Sequence, residues 1–133
     1  MNNLSIEEKK KILDTFGKII ISNVRDSSLE ISMDIVKRTT KNQIKLYQYD
    51  KLSNLSVEEQ ELICDLISET ITDVIYRFLE LFEENSDKIK LVYKFNGSDY
   101  DLTQISEKMG SEIACFEDEG WIQKFSKLGR FVL

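Results

Sequence analysis

One stretch constrains this chain more than any other: residues 56–84, SVEEQELICDLISETITDVIYRFLELFEE, the longest periodic segment, with neither glycine nor proline inside it. Ser56 followed three residues later by Glu59 is a capping box, in which each residue closes a backbone N–H that the first helical turn leaves open. Ile63, Leu66, Ile67, Ile71, Val74, Ile75, Phe78 and Phe82 recur at steps of three and four, which predicts one broad apolar face turned to the core. Glu58, Glu61, Asp65, Glu69, Asp73, Glu80 and Glu83 fall on the other side. Such a helix is both the main core element and the main electrostatic feature, and the other elements must be arranged around it.

The charge distribution sharpens that expectation. The net charge is −6, but it is uneven. Residues 1–49 hold 9 basic and 6 acidic groups (+3), residues 50–87 hold 2 and 11 (−9), and residues 88–133 hold 7 of each. The acidity therefore sits on the central helix, where Arg77 is the one basic side chain. A field of that sign repels nucleic acid and anionic membranes and attracts basic partners.

Before the central helix, Ser5 and Glu8 form another capping box, and Ile6, Ile12, Leu13, Phe16, Ile19, Ile20 and Val24 predict a helix over 5–24. Ser27 with Glu30 predicts a fresh start and a second helix over 28–39. Residues 41–55 are ambiguous: Ile44-Lys45-Leu46 with Tyr47 and Tyr49 fits a short strand or a connecting turn. After the helix, Ile89, Leu91, Tyr93 and Phe95 alternate with Lys88, Lys90, Val92 and Lys94, a period of two. Asn96-Gly97 is the preferred pair for a type I′ turn. Folding there sets Lys94 opposite Asp99, Tyr93 opposite Tyr100 and Leu91 opposite Leu102, all compatible cross-strand pairs. Asp101 or Thr103 then caps a short helix running to Met109, with Gly110 as its C′ residue, and Ser111 opens a further short segment. Trp121, Ile122, Phe125 and Leu128 predict a last helix, ended by Gly129. The expected fold is a single α+β domain over 1–133, mainly α: four to six helices around 56–84 with one hairpin over 88–102.

Catalysis finds little support. The chain has no histidine, which removes the commonest general base and transition-metal ligand. Cys64 and Cys115 lack metal or redox spacing and fit two reduced thiols of a cytoplasmic protein. No signal peptide, membrane span or phosphate-binding glycine loop is evident. The turn over 96–101 departs from the calcium-loop pattern at Tyr100 and Asp101. A winged-helix reading of 102–122 places Glu112, Glu117 and Asp118 where phosphates would need basic groups. No cofactor, metal or nucleic acid is expected, and the chain is not expected to be an enzyme.

The strongest functional feature is the like-charged series Glu61, Asp65, Glu69, Asp73 at four-residue steps, with Tyr76 in the same stripe. Each like-charged neighbour pair costs an isolated helix about 0.2–0.5 kcal/mol. An aromatic among carboxylates suits a basic protein surface, the ring supplying desolvated contact and the acids steering the encounter. Glu117, Asp118 and Glu119 beside Trp121 repeat that chemistry. Against this, an acidic helix face is commonly just a solvated surface, and a tryptophan after a charged loop commonly belongs to the core.

The run from Ile71 to Phe82, then Asp101-Leu102 through Ile105-Ser106, and Asp118-Glu119-Gly120-Trp121-Ile122 before Lys124-Phe125-Ser126-Lys127, resembles small bacterial immunity proteins of polymorphic or contact-dependent toxin systems. The resemblance covers roughly residues 56–128. It implies a cytoplasmic, non-enzymatic protein that binds and neutralises one cognate toxin domain. Glu61, Asp65, Glu69, Asp73, Tyr76, Glu117, Asp118, Glu119 and Trp121 are the expected partner-binding residues from the charge and aromatic pattern. A homo-oligomeric structural or regulatory protein is the main alternative, and a degenerate winged-helix regulator the lesser one.

Overall fold

A computed structural model describes residues 3–106, 108–113 and 120–130. The fold is mainly helical with one two-stranded antiparallel hairpin. Helix α1 (Ile6–Ile20) starts at Ser5, whose capping box with Glu8 is fully formed. The chain does not break at residue 27. It continues through a π-helical turn (Ile21–Asp26) straight into α2 (Ser27–Val36), and Ser27 caps nothing. Widening a helix to i→i+5 bonding reduces the angular step between neighbours. The consecutive residues Arg25 and Asp26 can then share the buried side, and both are buried.

Arg38, in the left-handed region at φ 62°, turns the chain out of α2 and donates to the carbonyl oxygens of Leu46 and Tyr49. This ties down α3 (Gln43–Gln48), capped by Asn42, and the 3-10 turn that follows (Asp50–Asn54). The ambiguous segment 41–55 is thus helical, not a strand. Its apolar residues are too sparse and too exposed to build a buried sheet face.

Helix α4 (Val57–Glu84) is a single 28-residue helix, and its capping box between Ser56 and Glu59 is complete. The hairpin comprises β1 (Val92–Phe95) and β2 (Ser98–Asp101), with Asn96 at φ 50° and Gly97 at φ 79° in the turn. Tyr93 pairs Tyr100, Lys94 pairs Asp99, and Leu102 N–H donates to Leu91 O, the register that the turn chemistry dictates. The regular ladder begins at Val92, not at Lys88.

Beyond it, α5 is one turn (Leu102–Ile105), capped by Asp101, and does not reach Met109. Met109–Glu112 is a 3-10 turn. Gly110 lies inside it and adopts no left-handed conformation; the Tyr76 ring lies so close that a Cβ there would sit 2.7 Å from it. Helix α6 (Trp121–Phe125) closes the fold, and Gly129 at φ 61° turns the chain beyond it.

The core joins Ile12 and Ile21 of the first long helical run to Ile75 and Leu79 of α4, with Leu102, Met109, Ile113, Trp121 and Ile122. Tyr93 and Phe95 of β1, with Leu91 just before it, pack against it from one side, as their alternation predicts. Trp121 lies over Gly17 and meets Phe16 edge-on at 5.8 Å between ring centroids. No helix among the described residues is long and apolar enough to cross a membrane.

Candidate functional site

The buried face of the central helix is rotated from the predicted one: Ile75 is buried and Ile63, Ile67, Ile71 and Phe82 are half-buried as their periodicity predicts, but Leu66, Val74 and Phe78 are exposed. Cys64, Ser68, Thr72, Ile75 and Leu79 are its buried residues. The cause is Arg25, which is fully buried with 0% exposure. Its Nε donates to Thr72 Oγ1 at 3.0 Å, one terminal nitrogen donates to Asp26 Oδ1 at 2.8 Å and Ser126 Oγ at 3.0 Å, and the other to Ser68 Oγ at 3.0 Å and Gly129 O at 2.6 Å. Burial pulls the guanidinium below its ordinary pKa, and the charge and hydrogen bond of Asp26 pull it back up. A buried guanidinium needs its donors satisfied, and α4 supplies two hydroxyls on one stripe.

Asp26 completes the arrangement by accepting from Lys127 N–H at 2.7 Å and from Ser126 Oγ at 2.8 Å. The segment 126–130 is thereby strapped across the π turn and α4. At its end Arg130 reaches Asp65 at 2.8 Å and Glu61 at 2.6 Å, while Lys37 meets the other Glu61 oxygen at 2.8 Å. The Glu61 carboxyl is held below its ordinary pKa, first by the Lys37 hydrogen bond and then by that of Arg130.

The predicted acidic stripe therefore divides in two. Glu61 and Asp65 are bound to cations of the chain itself and hold the strap. Asp73 pairs with Arg77 across one turn at 3.0 Å, both side chains largely exposed, a contact worth only some tenths of a kcal/mol. Glu69 is exposed and has no ion-pair partner among the described residues. Tyr76, 38% exposed, lines a surface cavity of about 260 Å³ with Glu80, Glu83, Lys108, Gly110 and Ser111. The Tyr76 phenol is pushed up in pKa by its hydrogen bond to Glu80 and then by that carboxylate's charge. Glu83 accepts from the backbone N–H of Met109. Glu69, Asp73, Tyr76 and Glu80 thus form the continuous acidic-aromatic surface, on the C-terminal part of α4.

Trp121 does not belong to that surface. It is 1% exposed and sits in the core, because its indole fills the gap left over Gly17, so it offers nothing to a partner in this fold. Glu117, Asp118 and Glu119 lie outside the described residues. Among the described residues no group of three His, Cys, Asp or Glu side chains is arranged to hold a metal ion. Cys64 is buried, and that burial raises its thiol pKa, the reverse of what a nucleophile needs.

The sequence reading missed two features. One is the Arg25 network, signalled only by an arginine within an otherwise apolar helical run. The other is a row of exposed apolar side chains on the outer face of α4: Leu62 (70%), Leu66 (63%), Val74 (60%), Phe78 (54%) and Leu81 (43%). The spacing of Leu66, Val74 and Phe78 predicts core positions, whereas Leu62 and Leu81 fall outside the predicted apolar face. Searches of protein-family models, curated proteins and solved structures find no match to this chain.

Proposed function

We propose that this chain is a non-enzymatic protein-binding domain, an immunity protein of the bacterial cytoplasm that binds a cognate toxin domain and masks a basic surface on it. The observation that carries the reading is the acidic surface on the C-terminal part of α4, where exposed Glu69, with no ion-pair partner among the described residues, stands with Tyr76, Glu80 and an Asp73 held only by the exposed Arg77. Charges held on a rigid helix raise the association rate of a basic partner, and a half-exposed tyrosine gives the encounter a point of desolvated contact. Glu61 and Asp65 contribute less in this reading than their spacing suggests, because Arg130 and Lys37 already occupy them.

This reading predicts a toxin domain encoded in a neighbouring reading frame, and that domain is the binding partner for the test. Reversing Glu69 and Asp73 to lysine slows association by on the order of tenfold at low salt, leaves dissociation nearly unchanged, and flattens the salt dependence. It also weakens the protection of cells expressing the toxin. An association rate and salt dependence equal to those of the parent chain would sink the reading.

A further inference from the structure

The strap over 126–130 is fastened almost wholly by polar contacts. None of its residues is fully buried, and Leu128 is the one apolar side chain among them. Asp26 accepts from Lys127 N–H, Arg25 donates to Ser126 Oγ and Gly129 O, and Ser68 Oγ donates to Arg130 O. Arg130 closes the far end on Glu61 and Asp65, whose side chains stay 44% and 43% exposed. Gly129 and Arg130 both stand in the left-handed region, at φ 61° and 56°. A residue other than glycine is strained there and persists only because its surroundings dictate it.

Such a fastening opens differently from a packed element. Parting apolar side chains exposes them to water, whereas water replaces the strap's hydrogen bonds one for one. Arg25 and Asp26 are buried charges, and lifting the strap hydrates them instead of leaving them without partners. A surface cavity of about 530 Å³ already separates Lys127 and Leu128 from Ser22 and Glu30, with Asp26 in its wall. The strap therefore belongs to the low end of local stability, where a segment opens while the core stays folded. Opening also changes the charge at its far end. Closed, Glu61 and Asp65 are balanced by Arg130 and Lys37; open, Lys37 alone remains and the cluster is negative. The two terminal nitrogens of Arg130 meet Glu61 and Asp65 at 2.6 and 2.8 Å, so the two carboxylates are spaced to share one guanidinium.

We propose that residues 126–130 are a latch that opens as a unit while the helices stay folded, and that an arginine of a basic protein partner holds it open by taking Glu61 and Asp65 from Arg130. Arg130 is then an autoinhibitory contact, filling from within the place a partner's guanidinium takes. A ligand shifts such an equilibrium only by binding the open form better, and this one does so because the closed form has its place filled. The latch rests on the strap's own contacts, whereas the basic partner rests on the acidic-surface reading of α4.

The experiment is amide hydrogen exchange of the full chain followed by NMR, with and without a hexa-arginine peptide. The Lys127 and Gly129 N–H groups, bonded to Asp26 and to Ser126 Oγ, are expected to share one protection factor, at least about tenfold below that of Leu79 in the core. Peptide at four times its dissociation constant for the open form lowers both by about fivefold, beyond the effect of sodium chloride at equal ionic strength. Arg130→Gln, and separately Glu61→Gln with Asp65→Asn, lower both without peptide and abolish the response to it. Glu69→Lys with Asp73→Lys leaves exchange at Lys127 and Gly129 unchanged, so failure of the acidic surface is seen apart from failure of the latch. Strap amides as well protected as Leu79 overturn the inference. So does a peptide that does no more than salt, or one whose effect survives Arg130→Gln.

Discussion

Replacing Arg25 by methionine tests the central packing arrangement directly. The substitution keeps most of the side-chain volume and removes every donor. It leaves the carbonyl of Gly129 and the hydroxyl of Thr72 without the guanidinium they meet at 2.6 and 3.0 Å, and it takes the cation from buried Asp26. Breaking a buried ion pair from one side costs about 3–5 kcal/mol. Asp26 still accepts from Lys127 N–H and Ser126, which places the expected loss near the lower end, about 3 kcal/mol.

For 133 residues an unfolding entropy of about 2 cal/mol/K per residue converts that to a fall in Tm of roughly 10 °C. Urea unfolding and calorimetry measure it. Arg25→Lys, which keeps the charge but not the fork of donors, should fall between the parent and Arg25→Met. Coupling supplies the sharper readout. If the strap is held through this network, Arg25→Met and Ser126→Ala are non-additive by about 0.5–3 kcal/mol, and trypsin cleaves after Lys127 faster in both variants. A loss below about 1 kcal/mol for Arg25→Met, or strict additivity with Ser126→Ala, refutes the reasoning.

Gly17→Ala should destabilise by about 1–3 kcal/mol, although alanine is the better helix former by about 1 kcal/mol. The new Cβ would lie 2.5 Å from Trp121 Cδ1, and thermal melts decide which effect wins. The depressed pKa of Glu61 makes a stabilising contribution present above its ordinary 4.5 and lost as pH falls through the lower folded value. Arg130→Ala should therefore lower stability at neutral pH and make the acid limb of a stability-versus-pH curve shallower, and equal slopes would exclude the link. Leu66→Asn with Val74→Asn should change the stability of the chain by no more than about 0.5 kcal/mol per site. A loss above about 2 kcal/mol at either site would mean that the outer row is core.

Local chemistry was legible in the sequence. Ser5, Ser56 and Asn96-Gly97 act through neighbours two or three residues away, and their caps, turn and register need nothing from elsewhere in the chain. The two-residue alternation through Leu91, Tyr93 and Phe95 likewise survives into the fold, because a strand's face follows directly from its pleat. The acidic stripe was legible as charge but not as free charge. Glu61 and Asp65 are bound by Arg130, a residue separated from them by 69 and 65 positions, and no local pattern announces that contact. For Trp121 the acids before it suggest a partner contact and its helical spacing with Ile122 and Phe125 suggests the core; Gly17, far earlier in the chain, decides for the core.

The rotation of α4 has the deepest cause. Apolar density alone would turn Leu66, Val74 and Phe78 inward, and a helix packed only by hydrophobic burial would settle there. The π turn brings Arg25 and Asp26 into the interior together, and a buried guanidinium left without acceptors costs several kcal/mol, of the same order as leaving Leu66, Val74 and Phe78 partly in water at about 1.5–3 kcal/mol for each full burial. The stripe that carries Ser68 and Thr72 is the face of α4 that can meet that demand, so it turns inward. The displaced apolar ridge is then a consequence of the same network that fixes the fold. An arginine on the first helical run and an exposed row on the fourth helix are two ends of one constraint. Relieving the constraint at Arg25 should make the outer ridge of α4 less exposed as well as the fold less stable.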